Sequence, residues 1–310
     1  PMFKEFILNN NSYFIRELRR SIKNIEIEER MDLLLHRPVG LLLSWGAIKV
    51  GLTPNLISFL SLLCGVTAGT LFYWQNNFQA ALVGCLFLIF SGILDTVDGQ
   101  VARLTNKSSR FGMYIDRQVD YLVFTAAYIG GVAYFLPHYG LCIVLLAIFS
   151  GFLHAAQTQV YEFYKNEYSY LGCGEIKYKN KQLTELKEVL QQADTPFEKF
   201  LVRNHINYVW RQNFFILRKG ENRDRFVSLH NDPVLSDKFR IAYRKTYYSF
   251  LSSFGLFGGL NTHRTLIIIF ILFAHFDYYL LASVALTVPV IFLSFMQAKS
   301  DRIFLESFSK

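Results

Sequence analysis

The sequence predicts an all-α polytopic membrane protein: six transmembrane helices, an N-terminal interfacial helix and a helical cytoplasmic insertion. Three observations carry this. First, 52% of the 310 residues are hydrophobic and 16% aromatic, and they gather in long runs of the length a bilayer requires. Second, the runs alternate with charged intervals, so that the mean hydropathy is only +0.24. Third, Lys and Arg are confined to every second interval, the pattern of cytoplasmic loops.

Four regions follow in order. Residues 1–52 are an amphipathic, cytoplasmic or interfacial segment. Phe14, Leu18, Ile22 and Ile25 recur at helical spacing, and Arg16, Arg19, Arg20 and Lys23 form a basic cluster for water or lipid headgroups. Val39 to Val50 is too short to span and reads as an interfacial helix. Residues 53–161 hold the first four spans. Thr53 is a good N-cap with Pro54 at the first helical position. Span one then runs from about Leu56 to Trp74, and span two carries the apolar run Ala80 to Leu94. Span three runs from Tyr121 to about Leu136, before Pro137, and span four from about Leu141 to Tyr161.

Residues 162–245 form the insertion. Lys181 to Gln192 reads as a helix, Thr195-Pro196-Phe197-Glu198 as a capping box opening a second through about Ile216, and Asp232-Pro233 as the start of a third. Residues 246–310 supply span five, about Thr265 to His275 and short unless Asn261 to Arg264 extends it. Span six, about Tyr278 to Met296, and a basic tail complete the chain. The turns 75–79, 137–140 and 275–277 carry no Lys or Arg. The termini and the intervals opposite those turns are therefore expected on the cytoplasmic side.

The chemistry sits between spans two and three. Asp95 and Asp98 are three residues apart, Asp116 and Asp120 four apart, so each pair shares a helix face. The short connection Leu104 to Phe111 predicts two antiparallel helices side by side and four carboxylates in one small volume. Like charges that close do not all stay ionised without a counter-charge, and acids at membrane depth are functional by default. One divalent ion or a pair answers the need, and an all-oxygen set favours Mg²⁺, Mn²⁺ or Ca²⁺ over zinc or copper. Gly99 and Gly112 leave room for a ligand beside the backbone. The Arg103 guanidinium, eight residues beyond Asp95, suits a phosphate.

The run Asp95-x-x-Asp98-Gly99-x-x-Ala102-Arg103, eight residues, Gly112, three residues, Asp116, three residues, Asp120 resembles the full signature of the CDP-alcohol phosphotransferases, also called CDP-alcohol phosphatidyltransferases. The resemblance extends more weakly to the first span and its lead-in, and does not cover 162–245. It implies an enzyme of phospholipid head-group synthesis. A substituted phosphate passes from a CDP-linked donor, CDP-diacylglycerol in the first place, to the hydroxyl of a polar alcohol, and CMP is released. The alternative within the family is a CDP-linked head group, such as CDP-inositol, passed to a lipid or other alcohol. By the same resemblance Asp95, Asp98, Asp116 and Asp120 hold Mg²⁺ or Mn²⁺ as a pair of ions, and Asp120 is the general base. Gly99, Ala102 and Arg103 line the CDP pocket, Gly112 allows close approach, Asn55 meets the nucleotide, and the protein is a homodimer among membrane lipids.

Other readings fit less well. An EF-hand starting at Asp95 fails because Val97 and Gly99 occupy ligand positions and Asn106 the closing one. A proton- or cation-coupled transporter usually carries broken helices in both halves of the chain, and only one acidic cluster is present. An intramembrane prenyltransferase gives no reason for Gly99, Ala102 and Arg103. Net charge +8 comes without a nucleic-acid motif, so no nucleic acid is expected as partner. Cys64, Cys85, Cys142 and Cys173 lack metal or disulfide spacing. His154 and Gln157 read as interhelical packing or hydrogen-bonding residues. Arg264, His263 and Arg110 divide between a substrate phosphate and an interfacial anchor.

Overall fold

A computed structural model describes residues 7, 12–22, 24–29, 31–107, 110–175, 183–218 and 220–308, without the side chains of 110–114 and 183–184. Every regular element among them is helical, and six stretches are long and apolar enough to cross a membrane. The helices fall into two compact units, residues 1–148 with 264–280 and residues 149–263 with 281–310.

In the first unit, α1 (Tyr13–Ser21) starts where the Ser12 hydroxyl accepts from the Ile15 N–H. Its Ile15 and Leu18 bury with Ile22, Leu33 and Leu41, and Phe14 and Ile25 pack at the edge. Arg16 and Arg20 stay exposed, as amphipathic spacing demands. A π-helical turn, Asp32–His36, leads into α2 (Arg37–Lys49), two residues earlier than the sequence suggests. The Arg37 guanidinium pairs with Glu28 at 2.8 Å. Burial alone would lower its pKa, but Glu28 and Asp32 outweigh burial and raise it.

α3 (Pro54–Phe72) opens on the expected cap, Thr53 Oγ1 accepting from Leu56 N. It packs along both α4 (Phe78–Leu104) and α5 (Arg110–Tyr139). Small residues make this possible: a Cβ on Gly130 would run into the carbonyl of Gly69, so the two backbones touch. Toward α4, Ser61 and Ser91 exchange hydroxyl-to-carbonyl bonds of 2.9 Å. In the turn after α3, Gln75 is 1% exposed. Its Nε2 donates to the carbonyl of Gly131 (3.0 Å), and its Oε1 accepts from the N–H of Phe276 (3.3 Å).

The helix ends are set by residues that tolerate left-handed backbone. α4 closes as a Schellman motif, Lys107 N bonding the carbonyl of Ala102 with Asn106 at φ 54°. The acids therefore sit inside helices and not at their ends. α5 continues through Pro137, beyond the expected end at Leu136, and stops at Gly140 (φ 55°). Pro137 frees only one carbonyl, with two residues of helix left.

α6 (Leu141–Glu167), whose residues from 149 on belong to the second unit, outruns the expected Tyr161 and ends in a π-helical turn, Tyr168–Gly172. α7 (Leu183–Gln191) occupies the anticipated helix, whose first residues lie outside the described ones. α8 (Pro196–Phe215) opens on the full capping box: Glu198 N to Thr195 Oγ1 at 3.1 Å, and Thr195 N to Glu198 Oε2 at 3.2 Å. α9 (Gly220–Asn231) was not anticipated. Asp232 does not open a helix; its Oδ1 accepts from Val234 N and Leu235 N in a turn, and α10 (Ser236–Gly258) begins after it. Span five is correspondingly longer than expected. The apolar stretch covers Ser236–Leu272, interrupted at Gly259, and α11 (Leu260–Leu272) includes Asn261 to Arg264. A boundary at 245 thus falls inside α10. α12 (Phe276–Ser307) is the last helix.

Two buried polar networks hold this unit. Gln157 donates from Nε2 to the carbonyl of Ser283 (2.9 Å) and to Thr287 Oγ1 (2.7 Å), while its Oε1 meets His263 Nε2 at 2.8 Å. His263 stacks on His154 with centroids 3.6 Å apart, so of the two expected roles His154 shows interhelical packing and Gln157 interhelical hydrogen bonding. The second network surrounds Arg218, whose side chain is 0% exposed. Nε and Nη2 take both oxygens of Asp301. Nη1 donates to Glu167 Oε2 and to the Tyr243 hydroxyl, each at 2.8 Å, and Tyr247 donates to Asp301 at 2.7 Å. The Phe226 ring lies 4.3 Å from the guanidinium carbon. Burial would lower the Arg218 pKa, but Tyr243, Asp301 and Glu167 more than reverse that and hold it charged.

Candidate active site

The site lies in the first unit, where α4 and α5 bring their carboxylates together. One oxygen each from Asp95, Asp98 and Asp116 lies within 4.8 Å of the others. Asp98 is 6% exposed, and Asp95 and Asp116 are half-buried. Asp120, also half-buried, lies within electrostatic reach of Asp95 and Asp98. The strongest charges acting on Asp95 are three carboxylates, Asp120, Asp116 and Asp98, and one cation, Arg264. The cluster is thus rich in negative charge in a setting that solvates it poorly.

The donor set fits a hard divalent cation: oxygen only, from three carboxylates. Ligands on opposite sides of such an ion stand about 4–5 Å apart, which matches the spread of these oxygens. Imidazole and thiolate are missing from the group, so the softer metals have no claim on it.

Three neighbours shape the cluster. Ser58, on α3 and 5% exposed, donates its hydroxyl to Asp98 Oδ2 and so fixes that carboxylate. Sequence reasoning missed it. The available signal was its place four residues after Pro54, on the buried face with Ile57 and Ser61. Arg264 is 7% exposed, its guanidinium carbon 5.9 Å from the Phe124 ring. Gly92, one helical turn before Asp95, makes the room: a Cβ there would stand 2.6 Å from that carbon. Arg264 is therefore a neighbour of the acids.

Gly99 lies under Arg103, with an added Cβ only 3.2 Å from Nη1. Arg103 also donates from Nε to the carbonyl of Ser21. Beside it, Gln100 Nε2 donates to Ser21 Oγ (2.9 Å) and to the carbonyl of Arg37 (3.0 Å). The end of α4 is thereby latched to α1 and α2, a link that short-range spacing does not reveal. Ala102 is half-buried on the same turn, and Asn55 is exposed in the first turn of α3. Gly112 lies on the first turn of α5. The surroundings of Gly112 and the Arg110 side chain lie outside the described residues.

These features define a class: a helical domain with membrane-spanning hydrophobicity and an oxygen-rich acidic centre on two successive helices. Residues 51–173 match the family model described as CDP-alcohol phosphatidyltransferase. A CDP-diacylglycerol–serine O-phosphatidyltransferase of Helicobacter pylori is 30% identical over 126 residues, 39% of this chain and 51% of the relative. An archaetidylinositol phosphate synthase of Pyrococcus horikoshii is 35% identical over 74 residues, 24% of this chain and 37% of the relative. A CDP-diacylglycerol–inositol 3-phosphatidyltransferase of Drosophila melanogaster is 34% identical over 86 residues, 28% and 36% respectively. The chain spans about half the length of the Helicobacter relative.

Proposed function

We propose that the chain transfers a substituted phosphate from CDP-diacylglycerol to the hydroxyl of a polar alcohol and releases CMP. The observation that carries this reading is the convergence of Asp95, Asp98 and Asp116 within the family-matched segment. The printed names of the Helicobacter and Drosophila relatives, both CDP-diacylglycerol enzymes, support the donor.

Asp95, Asp98 and Asp116 would hold Mg²⁺ or Mn²⁺. When bound, the metal supplies neutralisation of the pyrophosphate and of the departing CMP. Asp120 accepts the proton of the attacking hydroxyl as its oxygen bonds to the phosphorus bearing the diacylglycerol and the bond from that phosphorus to CMP breaks. Ser58 keeps Asp98 in one orientation. Gly99, Ala102 and Arg103 line the CDP pocket, with Gly112 and Asn55 at its edges. The Lys- and Arg-rich intervals support a cytoplasmic site, and the family resemblance supports a homodimer.

The test is CMP release by the purified chain, with CDP-diacylglycerol or CDP-linked head groups as donors. Glycerol phosphate, serine, inositol and inositol phosphate serve as acceptors, each with and without chelator. CMP release from CDP-diacylglycerol, abolished by chelation and restored by Mg²⁺ or Mn²⁺, is expected. Release only from a CDP-linked head group reverses the donor assignment, and full turnover in excess chelator removes the metal. Cysteines at Lys107 and Lys187 should label from the cytoplasm, and one at Asn77 from the opposite side. Labelling of all three from one face overturns the sidedness.

A further inference from the structure

The second unit contains a polar cavity of about 480 Å³ lined by Tyr170, Gly174, His230, Asn231, Asp232, Pro233, Ser236 and Arg240. None of the four aspartates of the candidate active site contributes to it. The cavity is built at the π-helical turn after α6, the end of α9 and the start of α10.

Its side chains are placed but not all satisfied. His230 is 5% exposed, its ring bonded to the carbonyl of Leu171 and packed on Tyr170 at 4.6 Å. Among the described residues its Nδ1 is buried with no hydrogen-bond partner. The same holds for Nε of Arg240. Arg240 also acts on His230 electrostatically, which with burial lowers the imidazole pKa. Two nitrogens kept dry without a partner are costly unless a ligand completes them.

The backbone is shaped to the guanidinium. Gly174 has φ 74°, a conformation that favours glycine, and a Cβ on it would stand 3.2 Å from Arg240 Cζ, so the backbone passes close to the guanidinium. The 23-residue helix α10 begins at Ser236 and directs its N-terminal dipole into the same region. Asp232, which lines the cavity, accepts at one oxygen from the N–H groups of Val234 and Leu235. Asp237 is exposed, 4.0 Å from Arg240.

We infer that this cavity binds a phosphate group, carried by a lipid head group or by a small soluble molecule. The Arg240 guanidinium supplies charge and a fork of donors. His230 Nδ1 accepts from a protonated phosphate oxygen or, once protonated, donates to an ionised one. Ser236 and the first turn of α10 complete the oxyanion contacts. The site is independent of the transfer chemistry proposed for the aspartates.

The experiment uses the full chain in detergent. Titrations with inorganic phosphate and glycerol phosphate form one arm, and vesicles of phosphatidylcholine with or without phosphatidic acid the other. Variants are Arg240→Gln, Arg240→Lys and His230→Gln, with Lys238→Gln, an exposed lysine on the same helix, as a charge-matched control. Binding is expected in at least one arm. It should be weakened about tenfold or more by Arg240→Gln, less by Arg240→Lys and His230→Gln, and no more than twofold by Lys238→Gln. The arm showing tighter binding identifies the phosphate source. If every probe fails to bind the wild-type chain, or if Lys238→Gln weakens binding as much as Arg240→Gln, the site does not exist. Size-exclusion profiles identify any variant that fails to fold, and Arg240→Lys then carries the comparison.

Discussion

The chain buries charge in two places, and the two are built on opposite principles. Around Arg218 the accounts close: Glu167 and Asp301 meet Arg218, Arg223 adds a longer contact to Glu167 at 3.4 Å, and two tyrosine hydroxyls fill the remaining positions. Around Asp95 they do not, since the strongest charges felt there are three more carboxylates against Arg264. A buried group with all its partners has no unmet demand and serves the fold. A buried excess of one sign is tolerated only if something else supplies the other sign. The difference separates a structural centre from a candidate chemical one without reference to any relative.

Replacing single members of the two centres sharpens that distinction. The largest effect is expected at Asp120→Asn, which keeps shape but removes the proposed proton acceptor. CMP release should fall by roughly 10²–10⁴-fold, and added metal should not restore it. Asp95→Asn should instead recover part of its rate as metal is raised. Wild-type turnover by Asp120→Asn, or rescue of it but not of Asp95→Asn, reverses the assignment.

Arg218→Met should act on stability. It strands Asp301 among aromatic rings and leaves Glu167 with only the longer Arg223 contact, a loss of about 3–5 kcal/mol in denaturant unfolding, while CMP release per folded molecule stays near wild type. Adding Glu167→Gln and Asp301→Asn should return much of the loss, because the stranded charge is then gone. If the triple variant is no more stable than the single one, charge balance is not what holds this unit.

Gly92→Ala comes next. The methyl group meets the Arg264 guanidinium, and we expect a tenfold fall in CMP release with an unchanged unfolding midpoint. Gly46→Ala is its control: nothing lies within 4 Å of the added Cβ, and α2 should gain up to about 1 kcal/mol. Equal behaviour of the two alanines would remove Arg264 from the site. The smallest effect is at Ser58→Ala, where a severalfold fall in rate with weaker metal affinity is expected. A rate equal to wild type at limiting Mg²⁺ would show that Asp98 is oriented without the hydroxyl.

What the sequence made legible was local. Thr53-Pro54 and the Thr195 to Glu198 box each act within one helical turn, and the structure has both; of the four acids whose convergence the spacing predicts, Asp95, Asp98 and Asp116 bring oxygens within 4.8 Å of one another. Misplaced features depend on distant partners. Arg218 looks like one more loop cation until Asp301, 83 residues away, closes on it. Ser58 is an ordinary polar residue in an apolar helix until Asp98, 40 residues away, accepts its proton. The end of span three was set too early because Pro137 was read as a stop, whereas a proline in the last turn costs little. Span five extends through Asn261 to Arg264, the extension that its apolar run alone leaves open. The burial of Arg264 and Asn261, 7% and 9% exposed, comes from surroundings that no window of sequence contains.

Gln75 also bears on how the chain is made. Its amide is sealed from both sides, by the carbonyl of Gly131 and by the N–H of Phe276, 56 and 201 residues later. At the ribosomal rate of about 5–20 residues per second, the second partner emerges roughly 10–40 s after Gln75 itself. Throughout that interval the nascent chain carries a glutamine with an open acceptor at the tip of its first helical hairpin. Until the final helix arrives, water at the membrane surface can donate to that oxygen, so the turn is completed only by the last part of the chain to emerge.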